Sequence, residues 1–344
     1  MSRKSQLLLP VILTTALTAL ILLLNGLPAA PGPDPDVYLT GYYLDAKGSR
    51  TACYWKNGRR VDLGKGAEAI RILPRGKDVH IIGKCLREGY HLESPCYWKN
   101  TRRHLLSLPP KSVLGEANAL FLQGDDIYIG GSYEKDWRKT ACYWKNGKRV
   151  DIRLPEGAVN PTVYSLIVVG NTVHILGSHT TRKESFHYFY LRNGIRVNLP
   201  KPAGASYTAF RDLYLVGRDT YITGNWSDSA GNKTACYWKN GKRVDFIQGA
   251  EIRYLYSTGK DLYLLVEGPG TFYWKNGTRF PLAEKELSAS SLFAVNGDIY
   301  LGCSVSLASD GGLFYWKNMK KVPVEVPPGT KYGQIHSLHV VRHE

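Results

Sequence analysis

The chain has 344 residues, 43% of them hydrophobic and 22% charged, which allows a large core and excludes a collagen-like or disordered polymer. Its formal charge of +16, from 45 Lys and Arg against 29 Asp and Glu, suggests an anionic partner unless the charge has a structural use. Six cysteines without Cys-x-x-Cys spacing exclude the common zinc modules; no metal and no cofactor is expected.

At the N-terminus, Arg3 and Lys4 precede an apolar run from Leu7 to Leu24 and then "NGLPAAPGPDPD". This has the form of an export signal, with small residues at Ala29 and Ala30. A run of about 18 apolar residues is also long enough to stay as a single anchor, and Pro31 disfavours cleavage after Ala30. Residues 1–30 are therefore a signal peptide or a signal anchor, residues 31–36 a linker, and the rest is expected outside the cytoplasm.

From residue 37 the chain repeats itself. "ACYWKNGKRVD" occurs at 141–151 and again at 235–245, and weaker copies bring the total to seven, at intervals of 36 to 47 residues. Periods of this size belong to solenoids and propellers. Within a copy, Asn-Gly between two β-prone runs predicts a type I′ hairpin, because both residues tolerate positive φ. Five copies keep Asn-Gly, whereas Asn100-Thr101 and Asn318-Met319 are expected to turn less tightly. Upstream, a turn ending in Asp followed by an alternating run, as in "GDDIYIGG" and "GRDTYITG", predicts a second hairpin. The repeat thus reads as four antiparallel strands A to D, the blade of a β-propeller.

The termini agree with a closed ring. The globular part opens with "DVYLTG" and "TACYWKNGRRVDL", which supply strands B, C and D without A, and closes with "QIHSLHVV", a strand A with nothing after it. The expected fold is all-β, a seven-bladed β-propeller over residues 37–344. Its closing blade takes strand A from the C-terminus and strands B–D from the N-terminus, hiding both edges. Nothing in the pattern calls for a second subunit, so a monomer is expected.

In this frame many conspicuous residues have packing roles. The Trp of each copy is expected between blades, and Leu191 in one copy fits packing better than chemistry. Cys53, Cys96, Cys142 and Cys236 share one slot and read as small buried residues; only Cys85 and Cys96 lie in one blade, where a disulfide is an open alternative. His80 and His174 stand where Tyr38, Tyr128, Tyr221, Tyr263 and Tyr300 stand in other blades. Lys and Arg of the C–D hairpins exceed the whole charge imbalance, which points to an edge-guarding rim. General attraction to anionic surfaces is the alternative, and no specific nucleic-acid recognition is expected.

A propeller opens its D–A and B–C connections at one mouth of the central channel, where binding chemistry belongs. Aligned on their apolar residues, the A strands place Glu68, Asn118, Tyr164, Arg211, Arg253, Ser290 and His336 in one slot, polar in every blade. The next slot holds Ile70, Leu120, Leu166, Leu213, Leu255, Leu292 and Leu338. The B–C loops add Tyr42, Tyr43, Tyr90, His91, Tyr133, Arg182 and the two tryptophans outside the repeat slot, Trp137 and Trp226. The polar ring reads either as a hydrated lining or as a site for an asymmetric ligand or protein, a glycan among the candidates.

Paired carboxylates such as Glu68 with Glu116 or Glu251 leave a carbohydrate-active enzyme, hydrolase or lyase, as a rival. No sialidase-type Ser-x-Asp-x-Gly-x-Thr-Trp box and no Gly-x-Ser-x-Gly elbow is present. The reading carried forward is a non-enzymatic binding module; adhesion through the basic rim is a further alternative. The strand and turn "TACYWKNGKRVD", following "DTYITG", resemble the Ala-x-x-Trp-x-x-Gly repeats of secreted bacterial propellers of the HAF type. The resemblance implies a propeller and export, and transfers no functional residue.

Overall fold

A computed structural model of the chain describes residues 33–343 apart from 87–91, 113, 184, 201, 269, 283–288 and 304–311. The proposed signal or anchor, together with Tyr90 and His91, lies outside the described residues. The side chain of Ser290 is likewise not described.

Pro35–Arg342 forms one compact unit of seven four-stranded antiparallel sheets. Blade I joins β1 (Asp36–Leu44), β2 (Arg50–Lys56) and β3 (Arg59–Lys65) to the last strand, β28 (Tyr332–Val341). Blade II is β4 (Ala67–Arg75), β5 (Asp78–Leu86), β6 (Glu93–Lys99) and β7 (Arg102–Leu105). Blade III is β8 (Leu114–Gln123), β9 (Asp126–Lys135), β10 (Arg138–Lys145) and β11 (Lys148–Asp151). Blade IV is β12 (Ala158–Val169), β13 (Thr172–Thr181), β14 (Phe186–Arg192) and β15 (Ile195–Arg196). Blade V is β16 (Ala205–Val216), β17 (Asp219–Asp228), β18 (Lys233–Lys239) and β19 (Lys242–Gln248). Blade VI is β20 (Glu251–Ser257), β21 (Leu262–Gly268), β22 (Gly270–Lys275) and β23 (Thr278–Pro281). Blade VII is β24 (Ala289–Val295), β25 (Asp298–Cys303), β26 (Phe314–Lys317) and β27 (Lys320–Pro323). The seven-bladed ring and its two-ended closure are as the repeat predicts.

The core is divided among the blade interfaces. Seven hydrophobic clusters each draw on two neighbouring blades, including the one between blades VII and I. The repeat tryptophans sit in these clusters, and several also latch them. The indole N–H of Trp55 donates to the Glu325 carbonyl at 2.7 Å, that of Trp98 to Leu63 at 3.2 Å, and that of Trp144 to Ser107 at 2.8 Å. Each acceptor belongs to the preceding blade or its exit, so a buried donor is satisfied across the interface.

The Asn-Gly hairpins have the expected backbone, with φ of 50° at Asn146 and 79° at Gly147. Asn318-Met319 keeps the same double positive φ, 49° and 63°, so that turn is no looser than the Gly ones; at Asn100-Thr101 only Asn100 is left-handed, at 58°. Cys85 and Cys96 form a disulfide between β5 and β6, with Cα atoms 6.1 Å apart. Cys53, Cys142 and Cys236 are buried free thiols, as their repeat slot suggests.

Candidate functional site

The mouth is shaped by one recurring irregularity. Every A strand slips register against its B strand at one shared position, between Ala69 and Arg71, Ala117 and Ala119, Val163 and Ser165, Phe210 and Asp212, Ile252 and Tyr254, Ala289 and Ser291, and Ile335 and Ser337; β12 and β16 each slip once more nearer their start. The residue left over is a β-bulge. In blades I to V the glycine of the "DIYIGG"-type run stands opposite it: a Cβ on Gly83 or Gly131 would collide with the carbonyl oxygen of Glu68 or Glu116. Glycine therefore lets strand A arch over strand B, and the arch offers one side chain per blade to the channel.

Those bulge residues are Ile70, Asn118, Tyr164, Arg211, Arg253, Ser290 and His336. Six of the seven residues placed in the polar ring from sequence share this bulge position. Glu68 is the exception: it lies two positions earlier, in register with Glu116, Thr162, Ala209, Glu251 and Gln334. Ile70 takes its place, so the ring is not polar in every blade, and Ile72, not Ile70, belongs to the leucine slot. "AEAIRIL" satisfies alternation in either frame, and only the bulge decides between them.

Ile70, Asn118, Tyr164, Arg211, Arg253 and His336 line a cavity of about 470 Å³ at the mouth. Its floor contains two residues that parity reasoning passed over. Arg71 donates from Nε to the Asn118 carbonyl at 2.6 Å and brings Nη2 to 3.7 Å from Asp212 Oδ2, across the channel. Their slot holds Ala119, Ser165, Tyr254, Ser291 and Ser337 in other blades, all uncharged, so a charge amid "AIRIL" and "FRDLYL" was the available signal.

The outer tier is a network of ion pairs. Glu251 meets Arg211 at 2.9 Å, Arg253 at 3.8 Å and also Lys233. Burial alone would raise its pKa, but the three cations outweigh it and hold the carboxyl at about 2. Glu68 lies 2.9 Å from His336 Nε2 and 3.0 Å from Arg50; the imidazole contact above all keeps it below its ordinary pKa. Glu116 is also held low, Lys139 at 2.9 Å overcoming the effect of burial. Tyr42 packs against His336 at 5.7 Å and gives its hydroxyl proton to Gln334 Oε1 at 3.2 Å. All three carboxylates are therefore acceptors and counter-ions, and none is poised as a proton donor near neutral pH.

The two tryptophans separate. Trp137 occupies a hairpin tip with φ of 60° and is 94% exposed. Trp226 is not in a loop: it is half-buried on β17, and its Nε1 donates to Asp245 at 3.1 Å. Tyr43 and Tyr133 occupy the same slot and donate to Asp62 and Asp151, so Trp226 is scaffold. Tyr42, Tyr43 and Tyr133 likewise sit on strands, and Arg182 on a turn. Much of the rim charge is spent internally, as in the 2.8 Å pair of Lys145 with Asp126.

No family model matches the sequence, and no curated protein matches it significantly. Among solved structures, the polysaccharide lyase Uly1 is similar at a TM-score of 0.52 and 11% identity, covering 92% of this chain and 91% of the lyase. A Mycobacterium tuberculosis puromycin-hydrolyzing peptidase is similar at 0.50 and 12% identity, covering 76% of this chain and 46% of the peptidase. A Trypanosoma rangeli sialidase in complex with the inhibitor DANA is similar at 0.46 and 8% identity, over 77% of this chain and about half, 54%, of the sialidase. At such identities the likeness concerns the propeller fold alone.

Proposed function

We propose that the protein is an exported, non-enzymatic propeller that binds an anionic ligand at the channel mouth. The observation that carries this reading is the convergence of Arg211, Arg253 and His336 on one 470 Å³ cavity beside apolar Ile70 and the Tyr164 ring. Arg211 keeps 43% of its side chain exposed, so donor capacity is left after its contact with Glu251. Export is supported by the basic-apolar N-terminus and by a disulfide of the kind favoured in oxidising compartments. Hydrolysis by a carboxylate pair is disfavoured, because that chemistry needs one carboxyl with a raised pKa and Glu68, Glu116 and Glu251 are all held low.

The test is a thermal-shift screen of the full-length protein against acidic and neutral glycans, alongside an Arg211→Ala/Arg253→Ala variant. A ligand that stabilises the wild type and leaves the variant unshifted supports the mouth. Stabilisation retained by the variant, or release of product by the wild type, overturns the non-enzymatic mouth reading.

A further inference from the structure

Two neighbouring blades break the repeat in complementary ways. In the C-strand slot that holds Ala52, Pro95, Ala141, Ala235 and Thr271, blade IV carries Tyr188. In the A-strand slot that holds Glu68, Glu116, Thr162, Glu251 and Gln334, blade V carries Ala209. A large ring replaces a small residue on one side, and a small residue replaces a long one on the other. Between them opens a second cavity of about 420 Å³. Tyr164 and Arg211 line both cavities, so the groove runs outward from the mouth.

The chemistry of this groove is divided lengthwise. One wall is aromatic: Tyr188 meets Tyr207 at 6.3 Å, edge to face, with hydroxyls 3.2 Å apart, and Tyr207 is 44% exposed. The other wall is charged: Arg211 and Lys233 share Glu251, Arg253 also engages Glu267, and one positive charge remains in excess. Flat apolar faces edged by hydroxyls suit pyranose rings, which present C–H faces and hydroxyl edges. Cations along the opposite wall suit a carboxylate at each ring. Two contiguous cavities suit a chain rather than a single sugar.

Resting on the mouth-binding reading, we infer that the groove between blades IV and V is a subsite for a linear oligosaccharide of uronic acids. One ring stacks on the exposed face of Tyr207, with Tyr188 bordering it, and gives its carboxylate to Arg211 and Lys233, while the chain continues into the mouth.

The test is calorimetric titration of tetragalacturonate, its fully methyl-esterified form and cellotetraose into the full-length protein. The variants are Tyr188→Ala and Ala209→Glu, each installing a residue type that other blades accept in that slot, and Tyr207→Ser at an exposed position. Tetragalacturonate is expected to bind at least about tenfold more tightly than the other two probes, and each variant to lose about tenfold or more. Unchanged binding in the variants overturns the groove while leaving the mouth, which Arg253→Ala then reports. Absent tetragalacturonate binding, or equal binding of the ester, overturns the uronate class.

Discussion

Asn146 explains why the repeat writes Asn where a turn alone would accept Asp or Gly. Its backbone has φ of 50°, its Oδ1 accepts the Ile127 N–H at 2.8 Å, and its Nδ2 donates to Asp126 at 2.7 Å. Lys145 completes the clip on the other oxygen of Asp126. Equivalent clips join Asp36, Asp78, Asp219, Asp261 and Asp298 to the Asn and Lys of their own blades. In blade IV Thr172 replaces the Asp, and Asn193 retains only the backbone bond, to Val173. The tyrosine slot nearby contains two pH-sensitive residues. His174 is bonded to Tyr190 at 2.6 Å, and burial lowers its pKa from 6.5 to about 4; His80 is lowered for the same reason. Below pH 6.5 the unfolded chain takes protons there that the folded chain refuses, so stability falls from pH 6.5 toward 4. The melting temperature is expected to drop over that window. A His80→Tyr/His174→Tyr variant should flatten the drop, leaving the shares of buried His179 and His339; an unchanged profile would assign the decline elsewhere.

At the scale of the element, the glycine and the bulge form one device. Gly131→Ala puts a methyl group against the Glu116 carbonyl and the Trp144 ring, neither of which can yield without unpicking β8 or the blade interface. Destabilisation of about 3 kcal/mol is expected in denaturant titration, together with weakened mouth binding as the arch flattens. Gly312→Ala, where a Cβ meets nothing within 4 Å among the described residues, should stay within about 0.5 kcal/mol. Equal effects at the two sites would refute the assigned role of the glycine. Blade VI shows the alternative solution, with Val266 opposite the bulge at Arg253.

For the whole molecule, closure rests on β28. This strand pairs with β1 along its length, and Ile335, Leu338 and Val340 lie in the cluster between blades VII and I. A chain ending at residue 331 would expose the inner edge of β1 and the part of that interface now covered by Ile335, Leu338 and Val340. Loss of cooperative unfolding and self-association are expected by calorimetry and light scattering. A cooperative melt at the wild-type temperature would show that the ring does not depend on this closure.

The repeat itself determined the blade number, the four-strand blade, the two-ended closure and the interfacial place of Trp, because period and turn chemistry are local properties that recur along the chain. The bulge residues at Asn118, Tyr164, Arg211, Arg253, Ser290 and His336 were legible for the same reason. Tertiary structure alone decided the rest. Glu68 and Ile70 exchange places because a bulge shifts parity by one residue and leaves no mark in "AEAIRIL". Trp226 becomes scaffold because its partner Asp245 comes from another strand. Arg71 meets Asp212 only when the ring closes and turns blades II and V toward one channel, and Tyr188 comes beside Ala209 only when two successive blades pack against each other.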